Sequence, residues 1–487
     1  MELWRRQRRS WVWFWALAAA GGCGAGGDKG GFSTSVETTQ VFQSSLSRKL
    51  DVVVVVGNAS SMAPLRDRFI AGLSSFIDAL KAGPGGLPSL HLAVVSSNVG
   101  PGRYDLPDRR CAFQGDGGRF QAAAQVPCTA TGLGSTDRFL STSGGDQSVK
   151  NYAGDITDAL ACIARLPSTG CAFGGPLKAL RWAIDPLNVP DGNFGFLRPD
   201  AALLAILVAN QDDCSTPDDS DLFDPNQTRL ADPLGPLSTF RCNEFGHLCM
   251  INGTLQPPPR AAASNLLGCV SNDTSTSKLT PVSDEISFLR SLKPDPSQVS
   301  VAIIAGPSTP YGITTRSQPV GTATENQPAM VPSCTTLTPD DGAAPAVRLA
   351  QWAGSFGAKG VLQSACATSL APALDSVGKA ATVAFHNCFH GTLIDGDITT
   401  PQIDPICQVV ESYVDDTGKT RSARVPACTS TSDPTSPCWR LNPEPSCTPE
   451  GLEFLTMRST LPPSGSAISV SCETCPAGKA VPGCPTL

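Results

Sequence analysis

Five consecutive valines, Val52 to Val56, stand between Asp51 and the turn Gly57-Asn58-Ala59-Ser60-Ser61. A β-branched run without polar alternation predicts a strand buried on both faces, as in the middle of a parallel sheet. From Met62 the pattern changes. Leu65, Phe69, Leu73, Phe76, Ile77 and Leu80 recur every three or four residues, the spacing of an amphipathic helix. In strand–turn–helix units of this kind, ligands sit at the carboxyl end of the strand, so chemistry is expected in the turn.

The alternation continues along the chain. Leu90–Ser97, Ala201–Asn210 and Val299–Gly306 read as further buried strands. Helical spacing covers Ile156–Arg165, the segment that follows the Ser168 loop and ends at Ile184, and Glu285–Leu292. A last helical region opens at Pro345, which has no N–H to leave unpaired at a first helical position, and runs through Trp352. A second helical piece is expected from Val361 to about Ala381. Residues 98–150 read as loop, with Cys111 and Cys128. The Pro-rich stretch 216–283, with Cys242, Cys249 and Cys269, reads as an insertion with its own staples. Another Pro-rich excursion reaches Cys334. The class predicted is α/β, a doubly wound, mainly parallel sheet. From residue 387 the texture shifts to eight cysteines, many prolines and few helix signals, with Ala467–Ser471 alternating like an edge strand. Residues 387–487 therefore read as a small disulfide-rich β appendage.

The first 22 residues form a secretion signal: a basic start, a short apolar run from Trp11 to Ala20, and small residues at the cut. Ala20-Gly21-Gly22-Cys23 resembles the bacterial lipobox, which implies a lipid on Cys23 and a membrane anchor, with ordinary signal cleavage nearby as the alternative. Residues 23–46 read as a Gly/Ser/Thr-rich tether, and a first domain as 47–386. Removing four Arg and one Glu with the signal moves the formal charge from −7 to −10. An acidic chain without basic clusters argues against nucleic acid as a partner. Apart from Cys23, eighteen of the nineteen cysteines remain, an even number that suits disulfides in an exported protein.

The strand and turn at Val52–Ser61 resemble the von Willebrand factor A domain, a Rossmann-like fold whose Asp-x-Ser-x-Ser motif closes the first strand and binds a divalent metal. Aligned there, the chain has Gly57-x-Ala59-x-Ser61. The family's Thr would fall near Gly174-Gly175, where there is no hydroxyl, and Asn210 stands where an Asp is expected after the later strand. Asp212-Asp213-Cys214-Ser215, Ser291-Leu-Lys-Pro-Asp295, Ile304-Ala-Gly-Pro307 and the Cys366 region look similar to exported A-domain lipoproteins of myxobacteria. The resemblance implies adhesion or assembly. Hard cations need several fixed oxygens and negative charge. The oxygens left in these loops belong to Asn58, Ser60, Ser61, Asn210 and Asp212. The expectation is a degenerate site with no cofactor. The alternative is a Mg²⁺- or Ca²⁺-gated module with substitute ligands such as Asp212.

Other groups offer less. Asp212-Asp213 suits a loop or helix cap better than an acid/base pair, since no second acidic cluster answers it. His386-Asn-Cys-Phe-His390 has a spacing that zinc accepts, but Cys388 has disulfide partners to choose from. Cys472-Glu-Thr-Cys475 is followed by Pro476 and reads as structural bridging. No nucleophile elbow, phosphate loop or His-Glu-x-x-His appears. The reading is a non-catalytic protein of the cell envelope, an outer-membrane lipoprotein or cell-surface protein, that binds a protein or surface polymer. An extracellular hydrolase is the remaining class.

Overall fold

The computed structural model describes residues 35–43, 48–83, 86–122, 132–133, 137–144, 148–293, 298–320, 322–336, 341–399, 403–415, 417–429, 436–444, 447, 450–458, 466–476 and 481–484. The expected signal and lipid-attachment residue Cys23, and Cys128, lie outside them. The chain divides into two units: one of the described parts of Met1–Gln40, Gly391–Gln408 and Val470–Leu487, the other of Val41–His390 and Val409–Ser469. The Cys-rich segment is thus shared between both, because its strands return to different parts of the chain.

Part of the expected tether is a strand, β1 (Val36–Gln43), whose β-branched Val and Thr residues suit extended backbone. The valine run is β2 (Lys49–Val56), followed by α1 (Ala63–Ala82) and β3 (Ser89–Ser96). A short strand, β4 (Leu140–Thr142), lies within the stretch read as loop. Next come α2 (Ile156–Ala164), α3 (Pro176–Ile184) and β5 (Ala202–Val208). The insertion holds α4 (Phe240–Gly246), β6 (His247–Ile251), β7 (Thr254–Gln256) and β8 (Ala263–Ser271). After α5 (Val282–Ser291) and β9 (Val299–Ala305), the Pro-rich excursion is a long hairpin, β10 (Tyr311–Val320) and β11 (Ala323–Val331). β12 (Cys334–Thr335), β13 (Gly342–Ala343) and α6 (Val347–Gly354) follow. The segment at Val361, expected as helix, opens as strand β14 (Gly360–Ser364); α7 (Ala371–Thr382) begins only afterwards. The reason is tertiary: β14 completes a parallel edge beside β9.

The central sheet has six strands in the order β14-β9-β5-β2-β3-β4. Four neighbouring pairs are parallel and only β3–β4 is antiparallel. Alternate valines face opposite sides, as a pleated strand requires. Val52, Val54 and Val56 pack with α1, α2 and α7, whereas Val53 and Val55 pack with α3, α5 and α6. Each fully buried Phe or Leu of α1, such as Phe69 and Leu73, contributes about 1.5–3 kcal/mol by leaving water. Gly378 lets α7 approach α1 closely: a Cβ there would lie 2.6 Å from that of Ala79.

The insertion strands and the hairpin form a second, antiparallel sheet, β11-β10-β8-β6-β7. β10 pairs β8 only at Tyr311 and Ile313, so beyond Thr314 that side of β10 meets no partner strand. Pro319 and Pro328 are tolerated because a proline without an N–H fits an unpaired edge.

The C-terminal hundred residues carry β15 (Cys407–Val414), β16 (Thr420–Arg424), β17 (Cys438–Pro443), β18 (Leu452–Met457) and β19 (Ala467–Thr474). β17 and β18 pair antiparallel. The burial of β19 alternates residue by residue, as its sequence suggests. Eight disulfides join described cysteines: 111–171, 214–242, 249–269, 334–366, 388–447, 407–472, 428–438 and 475–484. They are compatible with an exported protein. Among the described residues no helix is long and apolar enough to cross a membrane.

Candidate functional site

Strand order reverses at β2. The chain passes from β2 to β3 on one side and later returns to β5 on the other. The loops that leave the carboxyl ends of β2 and β5 therefore diverge, opening the crevice where open α/β sheets receive ligands. Gly57 N–H donates to the carbonyl of Val208 at 3.0 Å and ties the two loops at their base.

At the base of these loops lies a recess of about 30 Å³, bordered by Gly57, Ala59, Met62, Ser97, Ala172, Gly174, Pro176, Asn210 and Asp212. Met62 decides its chemistry. Its side chain folds back over Gly57, so close that a Cβ on residue 57 would lie 2.8 Å from Met62 Cγ. The Met62 thioether sulfur accepts the backbone N–H of Asn210 at 3.1 Å. A soft sulfur, with Gly57, Ala59, Ala172, Gly174 and Pro176 around it, suits a hard cation poorly.

The oxygens anticipated from sequence are dispersed. Asn58 is buried, donates from Nδ2 to Asp116 Oδ2 at 3.3 Å, and shares that carboxylate with the Ser96 hydroxyl. Ser60 and Ser61 are exposed. Asn210 donates its side-chain N–H to the Ser61 carbonyl at 3.0 Å, closing the loop rather than opening it.

Asp212 is committed elsewhere. Its Oδ2 accepts the backbone N–H of Arg348 (2.8 Å) and Nε2–H of His247 (2.8 Å). Its Oδ1 accepts the N–H groups of Leu349 (3.1 Å) and Asp213 (2.8 Å). Helix α6 has Ala346 at its N-cap with no capping side chain of its own, and Asp212 supplies the missing acceptor from the end of β5. Asp213 does the same for α3: its Oδ1 accepts Leu177 N–H at 3.1 Å, and Ser215 Oγ accepts Lys178 N–H at 2.9 Å. Asp213 Oδ2 also receives the Arg348 guanidinium at 3.1 Å, both side chains being fully buried. Burial alone would raise the Asp212 carboxyl. The His247 hydrogen bond and charge, with Arg348, hold it below its ordinary value. On the far side, His247 Nδ1 meets the Tyr311 hydroxyl at 2.9 Å. His247 and Tyr311 are both wholly enclosed, so only the Asp212 end of this Asp–His–Tyr chain borders the recess. Burial, then the charge of Asp212, pushes the Tyr311 phenol well above its usual value and keeps it protonated.

Outside the recess the crevice widens into a cleft of about 400 Å³ between these loops and the β10–β11 hairpin. Arg109, Arg316, Gln318, Gln327, Asn243 and Gln211 border it, beside Ser61 and Asn210. Arg316 and Gln318 lie two apart on one face of β10, and Gln327 is the cross-strand partner of Arg316. Among the described residues neither arginine pairs with a carboxylate. These groups escaped the sequence reading because prolines at 319, 328 and 332 mask the hairpin. The alternation Ile313, Thr315, Ser317 against Thr314, Arg316, Gln318 was the available signal.

His386 meets Glu453 and Glu444, whereas Cys388 between the two histidines is bonded to Cys447. Cys472 and Cys475, proposed to bridge structurally, pair with Cys407 and Cys484 rather than with each other. Compared with protein-family models and with curated proteins, the chain matches none.

Proposed function

We propose that this is an exported, lipid-anchored, non-catalytic binding protein. Its von Willebrand A-like domain has lost the metal of that family and recognises an acidic surface polymer or acidic protein segment directly. The carrying observation is the Met62 thioether over Gly57, with an uncommitted pair of guanidinium groups, Arg109 and Arg316, at the adjoining cleft. Amides beside them supply hydrogen bonds of the kind that carboxylate- and hydroxyl-rich chains accept. The signal and Cys23 supply export and the anchor in this reading, and the disulfides fit an oxidising location. The oxygens of Asp212 and Asp213 are committed to helix ends, which favours binding over hydrolysis at this crevice.

The test is binding of the full chain to a soluble uronate polymer such as alginate, with and without EDTA. Retention that survives EDTA and disappears in Arg109→Glu/Arg316→Glu supports the proposal. Retention that EDTA abolishes and Mg²⁺ or Ca²⁺ restores would replace it with the metal-gated module. Absence of retention would remove the acidic polymer as partner.

A further inference from the structure

The segment His386–His390 runs antiparallel beside the start of β18. Phe389 N–H donates to the Leu452 carbonyl at 2.9 Å, and Phe454 N–H donates to the Asn387 carbonyl at 2.7 Å. The Cys388–Cys447 disulfide, with its Cα atoms 5.1 Å apart, bolts the same segment to the loop between β17 and β18. Phe389 and Phe454 are fully buried and anchor the pair from beneath.

This frame brings three ligand-type side chains together. His386 Nδ1 lies 2.9 Å from Glu453 Oε1 and 4.0 Å from Glu444 Oε2. One donor atom from each of the three falls within 4.8 Å of the others. The His386 and Glu453 side chains are only 5 % and 9 % exposed, whereas Glu444 is 24 % exposed. Two carboxylates therefore converge on one imidazole in a nearly dry setting. Such a set is held by separate chain segments that a disulfide and backbone hydrogen bonds keep in place.

We propose that His386, Glu444 and Glu453 form a binding site for Zn²⁺. In a tetrahedral zinc centre with bonds of about 2.0–2.1 Å, neighbouring ligand atoms stand about 3.3–3.4 Å apart. The two separations from Nδ1, 2.9 and 4.0 Å, bracket that spacing. Charge also agrees: two carboxylates and a neutral imidazole balance a divalent ion. The imidazole nitrogen selects against Mg²⁺ and Ca²⁺, which prefer oxygen alone. Three protein ligands leave one position for water or for a donor from a partner, on the solvent side of Glu444. The site is independent of the strand-end cleft and of the function proposed for it.

The test uses the full chain with its disulfides intact, stripped with a chelator and dialysed. Calorimetric titration with ZnCl₂ is expected to show one saturable site, and Co²⁺ to give the visible absorption of a tetrahedral centre. Glu453→Gln and Glu444→Gln are each expected to weaken zinc by more than about 100-fold, beyond the usual cost of an outer-shell partner. Glu444, the most exposed member, gives a variant whose fold is checked by circular dichroism. No saturable zinc in the wild-type chain, or unchanged affinity in a folded Glu444→Gln, would overturn the site. It would leave His386 as an ion-pairing residue only.

Discussion

Asp212 accepts the backbone N–H of Arg348 at 2.8 Å across 136 residues of sequence. A carboxylate at the end of one strand thus performs the task that Ala346 cannot, closing the first turn of α6. Asp213, its neighbour, closes α3 in the same way. Both helices pack on the same face of the central sheet.

Removing that carboxylate leaves His247 and the helix end without their buried acceptor. Asp212→Ala is expected to destabilise the chain by about 3–5 kcal/mol, the range for breaking a buried pair. Asp212→Asn should cost less, because one oxygen still caps. Urea unfolding of the three proteins checks this.

The pH trend from Asp212 has a defined sign. Its carboxyl is held below its ordinary value in the folded chain, so its stabilisation is complete above the unfolded pKa, about 3.9. That contribution fades as pH falls through the lower folded value. The unfolding midpoint should therefore drop in acid, and Asp212→Asn should flatten this part of the profile.

Glu285 titrates the other way. Burial raises its carboxyl to about 7, even though Arg181 Nε donates to it at 2.9 Å and pulls it down. The folded chain then binds the proton more tightly than the unfolded one between about 4.5 and 7, and this group's contribution falls as pH rises across that window. Carbon-detected NMR of the Glu285 carboxyl should place its midpoint near neutral.

Installing a carboxylate in the turn after β2 should fail in the wild-type background. Gly57→Asp places a Cβ 2.8 Å from Met62 Cγ and is expected to cost about 1–3 kcal/mol through overpacking. Adding Met62→Ala should recover part of that loss, which thermal melting of the single and double variants measures. Neither Mg²⁺ nor Ca²⁺ should raise the wild-type melting temperature.

At the cleft, Arg316→Glu replaces an exposed side chain and should change stability by less than about 0.5 kcal/mol. Its effect belongs to binding. Retention on an acidic polymer should fall in the variant, and wild-type retention should weaken with salt, as screening of exposed charges requires.

The parallel sheet was legible because its strands announce themselves. Val52–Val56 and Leu203–Val208 are unbroken apolar runs, Val299–Ala305 is broken only by Ser300, and these three form its centre. Edge elements were less visible. Gly360–Ser364 is short and followed by a helix, so its strand character comes from pairing with β9, which no local pattern encodes. The β10–β11 hairpin is polar on its exposed face and interrupted by prolines, so it resembles loop. At the crevice, the sequence shows Gly57 and Ala59, residues without oxygen-bearing side chains. It does not show that Met62 folds back, or that Asp212 and His247, 35 residues apart, share a buried hydrogen bond. Those relationships depend on the return of distant segments. The His386 set lies between the two: the histidine spacing stands out, but its carboxylates come from beyond residue 440.

The commitment of Asp212 and Asp213 to helix ends has a consequence for how this crevice can change by mutation. Where strand-end carboxylates only hold a ligand, losing one abolishes binding and leaves the scaffold intact, so function can drift and be regained. Here the same positions are rivets of the scaffold. A substitution that freed Asp212 for a new ligand would loosen α6 at the same moment. Any route to a new chemistry in the recess must first give Ala346 or its neighbours a capping side chain of their own. The order of substitutions is therefore constrained, and the exposed hairpin face is the part of the cleft left free to vary.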